Sequence, residues 1–472
     1  MLGNFLKELG SFLEEAFSKE ETWWILFISG AAGALVVPLV VPSVLGTVVI
    51  DFLKRTWWLW FFIVIFRLFL ETWLHWRQEM FKDRIKWVFL ELKIPRLIEK
   101  SSQAMEQVLA AFHSLRNAPD DIREKYWDGE VPRWYSLEMV SFGGEIHLYI
   151  RCYAKLRNLI EAAFFSYYPG LDIVEVPDYV DQLPDKVYEV YEKDLDMWGT
   201  EMTLKKDDMY PIKTYTDFEN EAEEKSFDPI SSFLEILGKL KKTEIVGIQF
   251  LIAPAGSENW DDKWEDDLKK LREPQTRKVK GRALPTGGNE EYEMAMMRSP
   301  GQADVLKAVE ENLSKSAFNT LIRFVYFSNK KTFSDNFPRK GIVGAFNQYS
   351  NLDMNSFGQN NGVATRTMIW KKPYVFPGTR LEFRKARMLL NYRKREVPVE
   401  TLIGRMLTSY LFNWNTTSKR FIMNTKCLAT LFHIPTSLVL TEPHLKHLES
   451  KRAGPPSGLP IFGEEEELER YK

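Results

Sequence analysis

Apolar and polar positions alternate along this chain in three ways: long unbroken runs, period-two stretches and helical stripes. Residues 24–50 hold no ionisable side chain, and residues 57–74 hold only Arg67 and Glu71. Each run is near the ~17–25 residues that a membrane-crossing helix needs. Between them, 51–56 carries Lys54 and Arg55. The pattern predicts a two-helix transmembrane hairpin over 23–76, with Trp23, Trp24, Trp57, Trp58 and Trp73 at headgroup depth. Arg67 and Glu71 stand four apart, the spacing at which helical side chains pair. Ahead of the hairpin, Leu2, Phe5, Leu6, Leu9, Phe12, Leu13 and Phe17 recur at helical spacing, predicting an amphipathic helix over 1–22. Five glutamates against two lysines before Trp23 argue against a secretory leader.

Past residue 86 the runs shorten. WVFLELKI (87–94) predicts a strand closed by Pro95, and 101–115 a helix with Met105, Val108, Leu109 and Phe112 on one face. Strands at 136–142 and 145–152 are split by Gly143-Gly144, a hairpin signal. A helix over 154–167 and a strand over 171–176 complete a β-α-β-β-α-β order, the ferredoxin-like arrangement, for 86–180. A second α+β domain is expected over 186–350. Its predicted strands are 187–195, 201–204, 245–253 and 318–327, with helices opening at Asp228-Pro229 and over 302–314. Residues 256–301 interrupt it as a charged insertion. A polar stretch (351–362), a basic C-terminal α+β segment (363–460) and a charged tail (461–472) follow. The predicted class is α+β: a transmembrane hairpin, then tandem ferredoxin-like (βαββαβ) or related cytoplasmic domains.

Net charge adds little, since 63 basic and 65 acidic residues nearly cancel. Its distribution adds more. Residues 172–228 carry 18 acids against 6 bases, and 371–420 carry 12 bases against 3 acids. Within the basic stretch, Arg384, Lys385, Arg387, Arg393, Lys394 and Arg395 surround Met388, Leu389, Leu390 and Tyr392, as on an amphipathic helix. Trp370, Tyr374, Phe376 and Phe383 lie just before it. Interleaved rings and cations suit single-stranded nucleic acid; the same residues suit a partner protein, a lipid surface or plain solvation. Arg77, Lys82, Arg84 and Lys86 after the second run outnumber Lys54 and Arg55. The positive-inside bias therefore places both termini in the cytoplasm, on a two-span protein of the cytoplasmic (inner) membrane. Cys152 and Cys427, far apart in apolar surroundings, read as reduced core thiols.

Catalytic signatures are missing from the sequence. There is no GxxxxGK[ST] phosphate loop, no HExxH, CxxC or EF-hand spacing, and no GxSxG elbow. His444 and His447, at i, i+3 beside Glu442 and Glu449, read as a surface pair. No catalytic residue, cofactor or metal is expected, and the chain reads as a non-enzyme.

Four segments resemble one prokaryotic family: LELKIPRLIEKSSQAMEQVLAAFHSL (90–115), YIRCYAKLRNLIEAAFFSYYPGLDIVEVPDY (149–179), DPISSFLEILGKLKKTEIVGIQFLIAP (228–254) and FIMNTKCLATLFHIPT (421–436). ESKRAGPPSGLP (449–460) is similar to the junction before the motor in longer relatives. The family is the membrane-anchored N-terminal region associated with type IV secretion-like, conjugation-type ATPases of the HerA/FtsK superfamily. In fused relatives an ATPase domain follows the position of Pro460. The resemblance implies that the motor is a separate chain, that it was lost, or that this protein is a stand-alone scaffold. The first is favoured: a membrane-anchored, oligomeric scaffold that docks a separate P-loop ATPase and other secretion-apparatus subunits. The alternative is a membrane-tethered single-stranded DNA-binding protein that handles the translocated strand.

Overall fold

Nothing in the sequence 51–56 can stop a helix. It contains neither glycine nor proline, and Leu53, Lys54 and Arg55 are strong helix formers. In the computed structural model one helix, α1 (Val44–Arg84), runs straight through the expected interhelical loop. The structure describes residues 44–95, 102–119, 121–221, 228–257, 260–273, 276–280, 291–295, 298–366, 376–395 and 418–436. They fall into two compact units: residues 44–85 with 118–131 form one, and the other described residues form the second.

The first unit corrects the membrane reading. No helix among the described residues is long and apolar enough to cross a membrane. Length is not what fails, because α1 has 41 residues. Apolarity fails: Asp51, Lys54, Arg55, Arg67 and Glu71 interrupt it, and amphipathic tryptophans replace aliphatic side chains. The predicted hairpin, the two spans and the inner-membrane location are therefore not supported, and the first run up to residue 43, with the 1–22 helix, lies outside the described residues. Arg67 and Glu71 do pair, at 3.5 Å. The indole N–H of Trp73 donates to the Tyr126 carbonyl at 2.7 Å, and its ring packs on Trp76 and Trp127. Farther up the helix Trp57, Trp58, Phe61, Phe62, Ile65, Phe66, Leu68 and Phe69 are exposed, as is Trp76.

The second unit is built on one sheet. Its first six elements are β1 (Trp87–Lys93), α2 (Ser102–Ser114), β2 (Tyr135–Phe142), β3 (Glu145–Tyr153), α3 (Arg157–Tyr167) and β4 (Asp172–Glu175). Gly143 and Gly144 make the β2–β3 turn with φ of 60° and 97°, which only glycine adopts without cost. Next come α4 (Val187–Glu192), β5 (Leu195–Leu204), α5 (Tyr215–Glu221), α6 (Ser231–Gly238) and β6 (Ile245–Pro254). An excursion of α7 (Asp261–Arg272), β7 (Thr276–Lys280), β8 (Glu291–Ala295) and α8 (Pro300–Leu313) leads to β9 (Ala317–Asn329). The last elements are α9 (Asn336–Asn347), β10 (Phe357–Gln359), α10 (Pro377–Lys394), β11 (Phe421–Asn424) and α11 (Thr425–Leu431).

The tandem-domain expectation is replaced by a nine-stranded antiparallel sheet in the order β10-β5-β9-β6-β2-β3-β1-β4, with β11 also on β9. The β-α-β-β-α-β run of 87–175 is present, but its β2 edge is not free. It pairs along its whole length with β6, from Tyr135↔Ile252 to Phe142↔Ile245. Exposed edges invite further pairing, and here the two edges satisfy each other, so the halves share one sheet. The predicted strand at 187–195 is also corrected. Residues 187–192 form α4, whose Val187 and Val190 are buried three apart, and β5 starts only at Leu195.

Alternating residues send side chains to opposite faces. One face carries Leu90, Leu137, Ile150, Ile248 and Phe324 and is covered by α2, α3, α6, α9 and α11. The opposite face carries Phe89, Val140, Tyr149, Met197 and Val325, covered by α4, α10 and the 3-10 turn Tyr179–Gln182. Helix α10 lies very close to this face. The Tyr392 ring rests over Gly247, where any Cβ would collide with its hydroxyl.

Candidate functional site

Helix α10 contains five of the six basic residues singled out above, with Arg395 directly after it, and its closeness to the sheet decides where they point. Arg384 donates to the carbonyls of Ala364 (3.1 Å) and Arg366 (2.9 Å). Lys385 reaches Asp196 at 2.6 Å and the Tyr191 hydroxyl at 2.9 Å, and Arg387 is buried. Arg393 donates to the Val180 and Leu183 carbonyls, both at 2.6 Å, and pairs with Asp185. Arg395 lies just past the helix in a left-handed conformation, φ 50°. Its guanidinium meets Glu138 at 2.5 Å and Asp178 at 2.7 Å, above the rings of Phe89 and Tyr179. Lys394 alone of the six is exposed.

The acidic partners belong to the acid-rich stretch of 172–228, apart from Glu138. Asp185 and Asp196 lie there and each takes a cation of α10, and Asp178 takes Arg395 just after it. The acidic and basic runs are complementary to each other within the chain.

Beneath α10 a row of polar side chains crosses the sheet at one depth. The register aligns Glu201 with Arg323, Arg323 with Gln249, and Gln249 with Glu138. All four are wholly buried. Arg323 bonds Glu201 at 2.8 Å and the Asn391 carbonyl at 2.8 Å. The Gln249 amide donates to the Tyr392 carbonyl at 3.1 Å, and the Tyr179 hydroxyl to Glu138 at 2.5 Å. Burial alone would raise the Glu138 carboxyl. The charge and hydrogen bonds of Arg395, with those of Ser136 and Tyr179, outweigh it and hold the group below its ordinary value. Burial drives Tyr179 well up, and Tyr392 likewise. Glu138 and Glu201 each accept from more than one donor.

A second buried pair sits on the other face. Asp228 accepts from His433 at 2.6 Å and from the Thr436 amide at 2.9 Å. Burial would raise its carboxyl, but the His433 charge and hydrogen bond and the two bonds from Thr436 lower it to about 2. Cys152 and Cys427 are free and buried, and burial raises both thiols to about 12. Among the described residues no group of three or more His, Cys, Asp or Glu could hold a metal. His444 and His447 lie outside them. A cavity of about 120 Å³ opens beside Asp217, Glu311, Asn312 and Lys426. That is below the ~300–1,000 Å³ of ordinary small-molecule sites.

The charged insertion is where the surface differs most. In α7 no residue is fully buried, and Asp261, Asp262, Glu265, Asp266, Lys269, Lys270 and Arg272 are all exposed. Acids open the helix and bases close it, the order its dipole favours. Trp260 anchors it, buried beside Val309 and Leu313 of α8, with its indole donating to the Lys315 carbonyl at 3.1 Å. β7 and β8 pair only with each other, as a separate two-stranded sheet.

A family model, the domain of unknown function DUF8128, matches residues 135–446, about two thirds of the chain. The chain belongs to the DUF8128 family. No curated protein and no solved structure is significantly similar to it. The DUF8128 match begins at the first residue of β2 and takes in β6, β9, the charged excursion and α10. The row Glu201–Arg323–Gln249–Glu138 within DUF8128 escaped sequence reasoning. Its signal was present: LIRFV, IVGIQFLIA and LEMV each hold one polar residue amid apolar ones.

Proposed function

We propose that this chain is a non-catalytic scaffold of a type IV secretion-like or conjugation-type apparatus, and that it docks a separate P-loop ATPase through its charged excursion. Two things support the reading: the resemblance of four segments to the region that precedes such motors, and the surface of α7. The observation that carries it is the connection between β6 and β9. Its strands add nothing to the large sheet, and it holds exposed acids and bases on a helix whose anchor, Trp260, is buried.

Docking through α7 replaces docking through α10, whose cations, Lys394 apart, are buried or half-buried and held inside the chain. The α7 cations are paired too, Lys269 with Glu265, Lys270 with Asp267 and Arg272 with Glu310, but at exposed positions. The pairing at α10 weakens the single-stranded DNA alternative, since a nucleic-acid surface needs cations available to phosphate. The test is co-purification of the full chain with a P-loop ATPase of the conjugation type from the same genome. Reversing Lys269, Lys270 and Arg272 to Glu should reduce capture by tenfold or more, whereas Lys394→Glu should leave it unchanged. Undiminished capture by the triple variant overturns docking at α7. Salt-dependent binding of an oligonucleotide by the wild-type chain would instead favour the DNA reading.

A further inference from the structure

The cavity beside α8 contains an unmet hydrogen-bonding group. Asn312, only 3 % exposed, lines it. The Asn312 amide nitrogen donates to the carbonyls of Met209 at 2.9 Å and Asp208 at 3.3 Å. Turning the amide over would aim its oxygen at those two carbonyl oxygens, so the orientation is fixed. That leaves Oδ1 buried, and among the described residues no donor reaches it. A buried acceptor without a donor is costly, and native folds rarely keep one. Something outside the chain therefore donates to it.

The lining charges decide its chemical class. Glu311, next to Asn312 on α8, bonds the Lys426 ammonium of α11 at 2.6 Å, and both line the cavity. A second cation here would be repelled by Lys426, and an anion by Glu311. A neutral ligand meets neither penalty. Lys426 is buried, and its ammonium has three N–H donors, one of which Glu311 takes. Acceptor and donor stand on different helices, so a ligand with an N–H and a carbonyl on separate atoms suits them better than a hydroxyl. That group is a primary amide. Ile212 and Met354, both buried, give its carbon end an apolar wall. The volume, about 120 Å³, is a little under the ~150 Å³ of an engineered cavity that admits benzene, which sets the ligand at about five non-hydrogen atoms. We propose that this cavity binds a small neutral primary amide, its N–H on Asn312 Oδ1 and its carbonyl on Lys426 Nζ. The site shares no residue with α7, so it is independent of the ATPase-docking reading.

Saturation-transfer NMR on the full-length chain tests this with four probes of similar shape: propionamide, 2-butanone, propionate and n-butylammonium. Propionamide should give a saturable signal. 2-Butanone has no N–H to offer Oδ1 and should bind about tenfold more weakly. Propionate, which sets a charged oxygen against Oδ1, should bind more weakly still. Ala308 lines the cavity from α8, and Ala308→Leu fills it with a strong helix former. That variant should lose the propionamide signal while keeping its circular dichroism. Equal binding of propionamide and 2-butanone overturns the proposal, as does a signal undiminished in Ala308→Leu. Tighter binding of n-butylammonium overturns it too, since the site would then take cations. A wild-type chain silent to propionamide overturns it as well, leaving ordered water as the donor to Oδ1.

Discussion

The two halves of the large sheet have the same internal order and use it differently. Numbered from its own first strand, each half runs 2-3-1-4: β2-β3-β1-β4 in one and β6-β9-β5-β10 in the other, with the two second strands paired at the centre. In the first half the second and third strands are joined by the two residues Gly143 and Gly144. In the second half the same step runs from Pro254 to Ala317 through α7, β7, β8 and α8. The buried charges differ as well. Glu201 meets its cation, Arg323, on the adjacent strand, so the second half is neutralised within the sheet. Glu138 of the first half is neutralised by Arg395, which arrives from beyond the sheet at the end of α10. A shared topology thus tolerates a long excursion in one half and depends on a distant helix in the other.

The largest expected effects come from removing the two cations. Arg323→Met leaves Glu201 uncompensated at a wholly buried site, and breaking such a pair costs about 3–5 kcal/mol. Arg395→Met should cost less. Glu138 keeps donors from Ser136, Tyr179 and Gln249, and Asp178 is a quarter exposed and can turn to water. Urea unfolding of the two variants measures the difference. A second substitution, Glu138→Gln, should recover part of the loss in Arg395→Met, because it removes the stranded charge. Equal losses in both would mean that α10 is as integral to the sheet as its own strands, and the contrast between halves would fail.

Acid gives the next effect. Asp228, at the entrance to α6 of the second half, is held at about 2 against an ordinary 3.8. Its folded value is depressed, so its contribution is complete above pH 3.8 and is lost as pH falls toward about 2. The size at neutral pH is about 2 kcal/mol. Asp228→Asn should therefore lower stability by that amount at pH 7 and flatten the fall between pH 4 and 2, read from denaturation midpoints at each pH. A variant with the wild-type acid slope would remove Asp228 as the anchor. Glu138 is depressed too and acts in the same direction, so the double variant with Glu138→Gln should be flatter still.

Much of this architecture was readable locally. The strand, helix and hairpin signals of 87–176 depend on neighbouring residues, and β1, α2, β2, β3, α3 and β4 appear where those signals lie. The β2–β6 pairing was not readable, because it joins residues more than a hundred positions apart through backbone groups that carry no sequence mark. The same separation hid the site. A basic helix and an acidic stretch are each visible as charge runs, but neither reveals that Lys385 will find Asp196 or Arg395 will find Asp178. The membrane reading failed for a different reason. Lack of charge alone does not make a span: the indole rings lower the apolarity of the tryptophan-rich run, and the helix-forming 51–56 makes it one continuous helix.

The smallest effect is expected where the halves differ most in length. β7 and β8 pair only with each other and add nothing to the nine-stranded ladder. Replacing 274–297 with a short flexible linker leaves α7, Trp260 and α8 in place. Loop-closure entropy changes slowly with length, by only about 0.6 kcal/mol per doubling. The shortened chain should therefore unfold within about 1 kcal/mol of the full one. If capture of the ATPase survives the deletion but not the Lys269, Lys270 and Arg272 reversals, docking belongs to α7 and the hairpin is dispensable to it. A large loss of stability would show instead that the excursion supports the second half, making the long connection a structural part of the sheet.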